Sequence, residues 1–421
     1  MLATLTRALK VGDLRRRILF TLGMFVIFRI GVHIPAPGVD AAVIQRLFQE
    51  GTIFGLLDLF AGGALSAFSI FAMSITPYIN ASIIMQLLTV VIPKFEEWSR
   101  EGEEGRKKLT QLTRYGTVVL GLIQAYGTAY FLSRSGALET PGFFSMSLLA
   151  LTLTAGTAFL MWLGEQITEH GIGNGISLLI FAGIVSRLPA GLMNLIDLVR
   201  VGAVNIFNIL VLVVLGTAVI VGVVLMNEGQ RRIPVQYSKR VVGRRMYGGQ
   251  TTHIPMRINM AGVIPVIFAS SILALPPTLA QFIPADWAQR FAAWFNTGSW
   301  LYTTIYALLI IFFTYFYTAI QFNPADVADN LRKYGGYIPG IRPGRPTAEY
   351  LDRVLVRLTL AGALFLAFIS VLPVFFTELT NIPNLYFGGT ALLIVVGVAL
   401  ETMKQIEAHL IMRQYEGFIR K

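Results

Sequence analysis

The sequence predicts an all-α polytopic membrane protein, with ten transmembrane helices divided into two five-helix halves of opposite orientation. Three observations predict it. The 421-residue chain is 55% hydrophobic and only 14% charged, a membrane composition rather than a soluble one. Ten apolar runs follow one another, each near the ~20 residues a bilayer requires. Basic residues fall on alternate connections.

The runs lie at 18–34, 68–92, 113–133, 144–164, 176–196, 204–226, 259–280, 301–322, 357–377 and 388–408. With the N-terminus inside, segments 1–17, 93–114, 165–175, 227–258, 323–357 and 403–421 hold 28 of the 34 Lys and Arg. The outer segments keep five, Arg46, Arg134, Arg187, Arg200 and Arg290. The positive-inside rule then puts both termini in the cytoplasm. Five spans plus five start on opposite sides, as inverted repeats do. The halves are 1–200 and 201–421, the second carrying the long charged loops 227–258 and 323–356.

The first run, Ile18–Ile34, follows Arg15-Arg16-Arg17 and lacks a small-residue cleavage pattern, so it reads as a retained span. Arg29 lies within it and is expected to snorkel to the outer interface, because a charge at the bilayer centre costs at least ~2.5–3.5 kcal/mol. Next comes Thr52–Phe60, apolar but too short to span, broken by Gly62-Gly63. Apolar backbone beside spanning helices suggests a segment buried in a protein cavity, a plug in a pore. The following run, Phe68–Ile92, has spanning length but carries Pro77, Asn80 and Gln86.

Gly171-Ile172-Gly173-Asn174-Gly175 follows the fourth run. No strand precedes it, so it reads as a tight turn between helices rather than a nucleotide loop. The loop 230–257 is rich in Val, Ile, Tyr and Thr and contains Gly248-Gly249, a β-hairpin pattern with Arg244 and Arg245 near its tip. The stretch 334–344 is dense in Pro and Gly, which predicts a stiff, non-helical finger. Arg on such fingers suits the phosphate oxygens of an RNA backbone.

Several classes are excluded. Glu401 and Glu407 stand toward the end of the tenth run and no other Asp or Glu falls inside the runs, which disfavours a proton- or ion-coupled transporter. No HExxH, GxSxG or Walker A pattern occurs, so no catalytic residue, nucleotide site or cofactor is expected. The four His stand apart and the chain lacks Cys, so no metal site is expected. The energy for any transport must come from a partner.

Long motifs then converge in order: IPAPGVD (34–40), FAGGALSAFSIFAMSITPYINASIIMQLLTVV (60–91), WLGEQITEHGIGNGISLLIFAGIV (162–185), QRRIPVQYSKRVVGRR (230–245), NMAGVIPVIFASSI (259–272), GIRPGRPT (340–347) and FGGTALLIVVGVAL (387–400). Over essentially its whole length the chain resembles the SecY family of protein-conducting channels. The resemblance implies two halves forming a clamshell around a central pore, closed by a ring of apolar side chains. The matching positions are Ile75, Ile79, Ile176, Ile180, Ile267 and Ile394. An apolar constriction gates by dewetting, and Ile is stiff at χ1.

It also implies a plug near 53–65, with Ile53, Phe54, Leu56, Leu57, Leu59, Phe60 and Leu65 as its apolar residues. A lateral gate between the second and third spans and the seventh and eighth would carry Gln86 and Asn259. Arg244, Arg245 and Arg342 match docking positions for the ribosome, through its RNA and proteins, or for the SecA ATPase. Implied partners are further the SecE and SecG subunits, signal peptides, nascent chains and membrane lipid. The implied location is the bacterial cytoplasmic membrane. The rival readings are an inverted-repeat transporter of small solutes and a membrane scaffold.

Overall fold

The computed structural model describes residues 9–40, 43–44, 58, 61–202, 205–237, 240–242, 245–247, 251–280, 287, 290–291, 294–295, 299–380 and 389–419. Helices dominate. They are α1 (Gly12–Val32), α2 (Thr76–Val91), α3 (Pro93–Arg100), α4 (Glu103–Arg134), α5 (Phe143–His170), α6 (Gly175–Arg200), α7 (Ile206–Glu228), α8 (Ile264–Ala280), α9 (Trp300–Gln321), α10 (Pro324–Lys333), α11 (Arg345–Thr380) and α12 (Gly389–Ile419). Each of the ten expected runs falls on one of them. Among the described residues five helices are long and apolar enough to cross a membrane, six if the bent pair α2 and α3 counts as one.

The second run departs most from expectation. It is not one helix over 68–92. Residues 62–75 form successive turns and α2 starts only at Thr76. The backbone of 68–70 bonds elsewhere: Ala36 N–H donates to the Phe68 carbonyl at 2.9 Å, and Ile70 N–H to that of Ile34 at 3.0 Å. Phe68 and Ser74 take positive φ, 41° and 53°, which ends any helical path there. Pro77 then sits in the first turn of α2, where its missing N–H costs little. At the other end Pro93 holds Ile92 extended, and α3 leaves at 101° to α2.

The helices form two groups with one packing plan. In the first, α2 packs on α4, α4 on α5, α5 on α6, and α1 on α5 and α6. In the second, α8 packs on α9, α9 on α11, α11 on α12, and α7 on α11 and α12. Counting the expected spans in order, these pairings are the same in both, and the first group adds a contact of α2 with α5. The groups meet where α2 and α4 touch α8, and where α6 touches α12.

The 230–257 hairpin forms as expected. Strand β1 (Gln230–Tyr237) pairs antiparallel with β4 (Thr251–Arg257), Gln230 opposite Arg257. Beyond it β2 (Arg240–Val242) pairs with β3 (Arg245–Tyr247). The 334–344 stretch is not a free finger. Its strand β5 (Gly336–Tyr337) adds to the other edge of β1, giving the order β4-β1-β5. Ile233 and Val235 of β1 bury against Leu331, Ile338 and Leu351, so both loops share a small core.

Candidate functional site

The six isoleucines come from separate elements but meet in one apolar cluster. Ile75, Ile79, Ile180, Ile267 and Ile394 are buried in it, and Ile176 packs against it half-buried. Ile75 caps α2, and Ile79 one turn on donates its N–H to the Ile75 carbonyl at 3.0 Å. Ile176 and Ile180 stand one turn apart at the start of α6, so they share a face. That start is fixed by the Gly-rich turn. Gly173 takes φ +90°, and the Asn174 side chain accepts from Ser177 N–H at 3.1 Å as N-cap. Ile267 comes from α8 and Ile394 from α12. Each helix group therefore contributes to the junction, and both contacts between the groups are represented.

Beside this cluster lies the turn segment that enters α2. Leu65 packs half-buried against the same cluster. The expected plug residues Ile53, Phe54, Leu56, Leu57, Leu59 and Phe60 lie outside the described residues. Asp58 is described, and it is 2% exposed. Its carboxylate pairs with Arg187 and accepts from Leu65 N–H at 3.0 Å and Ser66 N–H at 2.8 Å. Arg187 also donates to Ser66 Oγ at 2.7 Å.

Arg187 therefore belongs inside α6, not among the outer loops. Neither Asp58 nor Arg187 was picked out as a site residue from sequence. The available signal was an acid in an apolar run and a base within a span. Arg29 has a partner within the protein as well: its Nη1 donates to the Gly62 carbonyl at 2.8 Å.

The two expected gate residues are not hydrogen-bonded to each other. Gln86 Nε2 donates to Ser82 Oγ of its own helix at 3.4 Å. Asn259 lies before α8, not in it, and its Nδ2 donates to Asn227 Oδ1 at 2.9 Å and to the Gly262 carbonyl at 3.1 Å. The Asn227 carbonyl accepts from Lys404 Nζ at 3.3 Å, so Asn259 is held to α7 and Lys404 ties α7 to α12. Among the described residues, the buried Gln86 Oε1 and Asn259 Oδ1 have no hydrogen-bond partner, and neither do Asn80 Oδ1 and Nδ2. Unpaired polar atoms there are ones a rearrangement could satisfy.

Of the docking arginines, Arg244 lies outside the described residues. Arg245 begins β3, and Arg342 is exposed on the turn before α11. Thr347 Oγ1 donates to the Arg342 carbonyl at 2.8 Å and fixes that turn.

Comparison with known proteins agrees. The model of the SecY family matches residues 69–403. The protein translocase subunit SecY of Halalkalibacterium halodurans is 54% identical, covering 100% of both chains. A solved structure described as a protein conducting channel superposes with a TM-score of 0.67 at 19% identity, over 94% of this chain and 92% of that one. Sec61 in the canine ribosome-channel complex from the endoplasmic reticulum gives a TM-score of 0.62 at 18% identity, over 94% and 92%. The two structures carry the fold alone, but the family match and the full-length relative carry descent: this chain belongs to the SecY family.

Proposed function

We propose that this chain is the channel subunit of a protein translocase. It passes unfolded polypeptide across the membrane and releases apolar segments sideways into lipid. It is a passive pore, not an enzyme. The observation that carries the reading is the apolar junction of isoleucines from α2, α6, α8 and α12, drawn from both halves and buried together. Such a junction excludes water and ions when closed.

The halves are 1–200 and 201–421, and they form an inverted clamshell of ten spans. Their shared packing plan supports this division. The segment near 53–65 is the plug. The seam where α2 and α4 face α8 is the lateral gate, with Gln86 and Asn259 at it. Arg244, Arg245 and Arg342, on the two long loops, dock the ribosome or SecA, and SecE and SecG complete the complex in the bacterial cytoplasmic membrane. A small-solute transporter is set aside, because the relative that matches the whole chain is a protein translocase subunit.

The test is reconstitution of the chain with SecE in proteoliposomes, with SecA and ATP added outside. A secretory precursor should become protected from protease only when ATP is present. Absence of protected precursor in channels shown to be inserted would overturn the reading.

A further inference from the structure

We propose that a pocket between α9 and α11, at the level where both helices enter the membrane, holds the primary ammonium head of a zwitterionic phospholipid. The proposal needs α9 and α11 to span, as their length and composition allow, and does not depend on what the channel carries.

The pocket measures about 150 Å³. Phe322, Asn323 and Pro324 line it where α9 gives way to α10. From α11 come Asp352, Val356 and Thr359, which recur at helical spacing, so one face of that helix builds the site. Its level follows from the apolar runs. The eighth ends at 322 and the ninth begins at 357, so the pocket straddles the edge of the apolar zone.

The polar groups of the lining are acceptors. Tyr315 gives its proton to the Val356 carbonyl at 3.3 Å, and Thr318 its own to the Thr314 carbonyl at 2.7 Å. Each keeps an oxygen whose remaining capacity is to accept. Asn323 is committed to α10, its Oδ1 accepting from Ala325 N–H and its Nδ2 donating to Asp326. Asp352 is exposed and has no ion pair among the described residues. α9 also ends here, and the last carbonyls of a helix carry partial negative charge. A carboxylate, two acceptor oxygens and a helix C-terminus together suit a cation that has N–H groups to donate. A quaternary ammonium has none, and an anionic head meets the wrong sign.

A lipid rather than a free amine follows from what continues beyond the pocket. Exposed apolar residues recur from its level toward the membrane interior, Leu360, Leu364 and Phe368 on α11, Phe312 and Leu308 on α9. These two helices pack on each other, so an acyl chain can lie along them while the head stays in the pocket. Arg353 and Arg357 follow on the adjacent face of α11 and are exposed, which suits the phosphate of the same lipid.

The experiment uses the chain purified with its partner subunits and reconstituted in bilayers of phosphatidylcholine and phosphatidylglycerol. Trace probes carry the same diazirine-bearing acyl chain on an ethanolamine, a choline or a glycerol head. After illumination, labelled peptides are quantified by mass spectrometry. The ethanolamine probe should label segments 308–312 and 356–364 about three- to fivefold more than either other probe, the scale of one partly exposed charge pair. Asp352→Asn should remove that excess, and Asp352→Glu should keep it. Both variants should retain the parent's Tm.

Equal labelling by the ethanolamine and choline probes, stronger labelling by the glycerol probe, or an excess that survives Asp352→Asn overturns the site. Should Asp352→Asn not accumulate, the comparison of headgroups on the parent decides. ATP-driven protection of a secretory precursor is measured in the same vesicles. Its absence overturns the channel reading and leaves the lipid site to its own readout.

Discussion

Arg29 on α1 donates a hydrogen bond to the carbonyl of Gly62 at 2.8 Å, across 33 positions of sequence. It joins the first helix to the turn that Asp58 closes. A charge inside an apolar helix thus has a structural partner in the turns that precede α2. Arg29→Met keeps an apolar stem and loses the donor. A hydrogen bond to a charged group contributes about 1.5–3 kcal/mol. The resting ion conductance of purified channels in planar bilayers should rise roughly tenfold. Conductance equal to the parent's would separate Arg29 from closure.

The isoleucine junction makes a sharper claim. Ile79→Asn with Ile267→Asn places amides from both helix groups in the cluster. Polar groups there favour a wetted path, so resting conductance should increase, while a secretory precursor with an intact signal is still translocated. Channels that stay as tight as the parent would show that the seal lies elsewhere.

Gly156 on α5 tests the unwound entry to α2. A Cβ there would sit 2.0 Å from the Ile70 carbonyl oxygen, which is backbone and cannot step aside alone. Gly156→Ala should cost about 1–3 kcal/mol through overpacking. Thermal unfolding of the detergent-purified complex should show a lower Tm. An unchanged Tm would mean that residues 68–75 shift freely.

Arg342 is exposed, and its turn is held by Thr347 and by the sheet that β5 shares with β1. Arg342→Glu should change stability by no more than about 0.5 kcal/mol, as for a surface change. Partner-driven translocation should fall several-fold at low salt, and the gap from the parent should narrow as salt is raised. Full activity would remove Arg342 from the docking surface.

Much of this was legible from sequence because the signals are local. Each of the ten apolar runs falls on a helix, and the alternating Val and Ile of 230–237 became a strand with Ile233 and Val235 buried. The Gly-rich turn and its Asn174 cap follow from residues four apart at most. Helix ends were less legible. α4 begins at Glu103 and α11 at Arg345, well before their apolar runs, because backbone hydrogen bonding continues through charged residues that composition treats as loop.

What the sequence determined by itself is the number and order of apolar runs, the side on which charge gathers, and the family, since these depend on residue type along the chain. Only the tertiary structure decided that 62–75 leaves the helix, that β5 joins β1, and that Asp58 meets Arg187 across 129 positions. Each of those depends on which distant backbone or charge is available as a partner. A buried polar group settles where its hydrogen bonds can be satisfied, and only the packed helices supply that place.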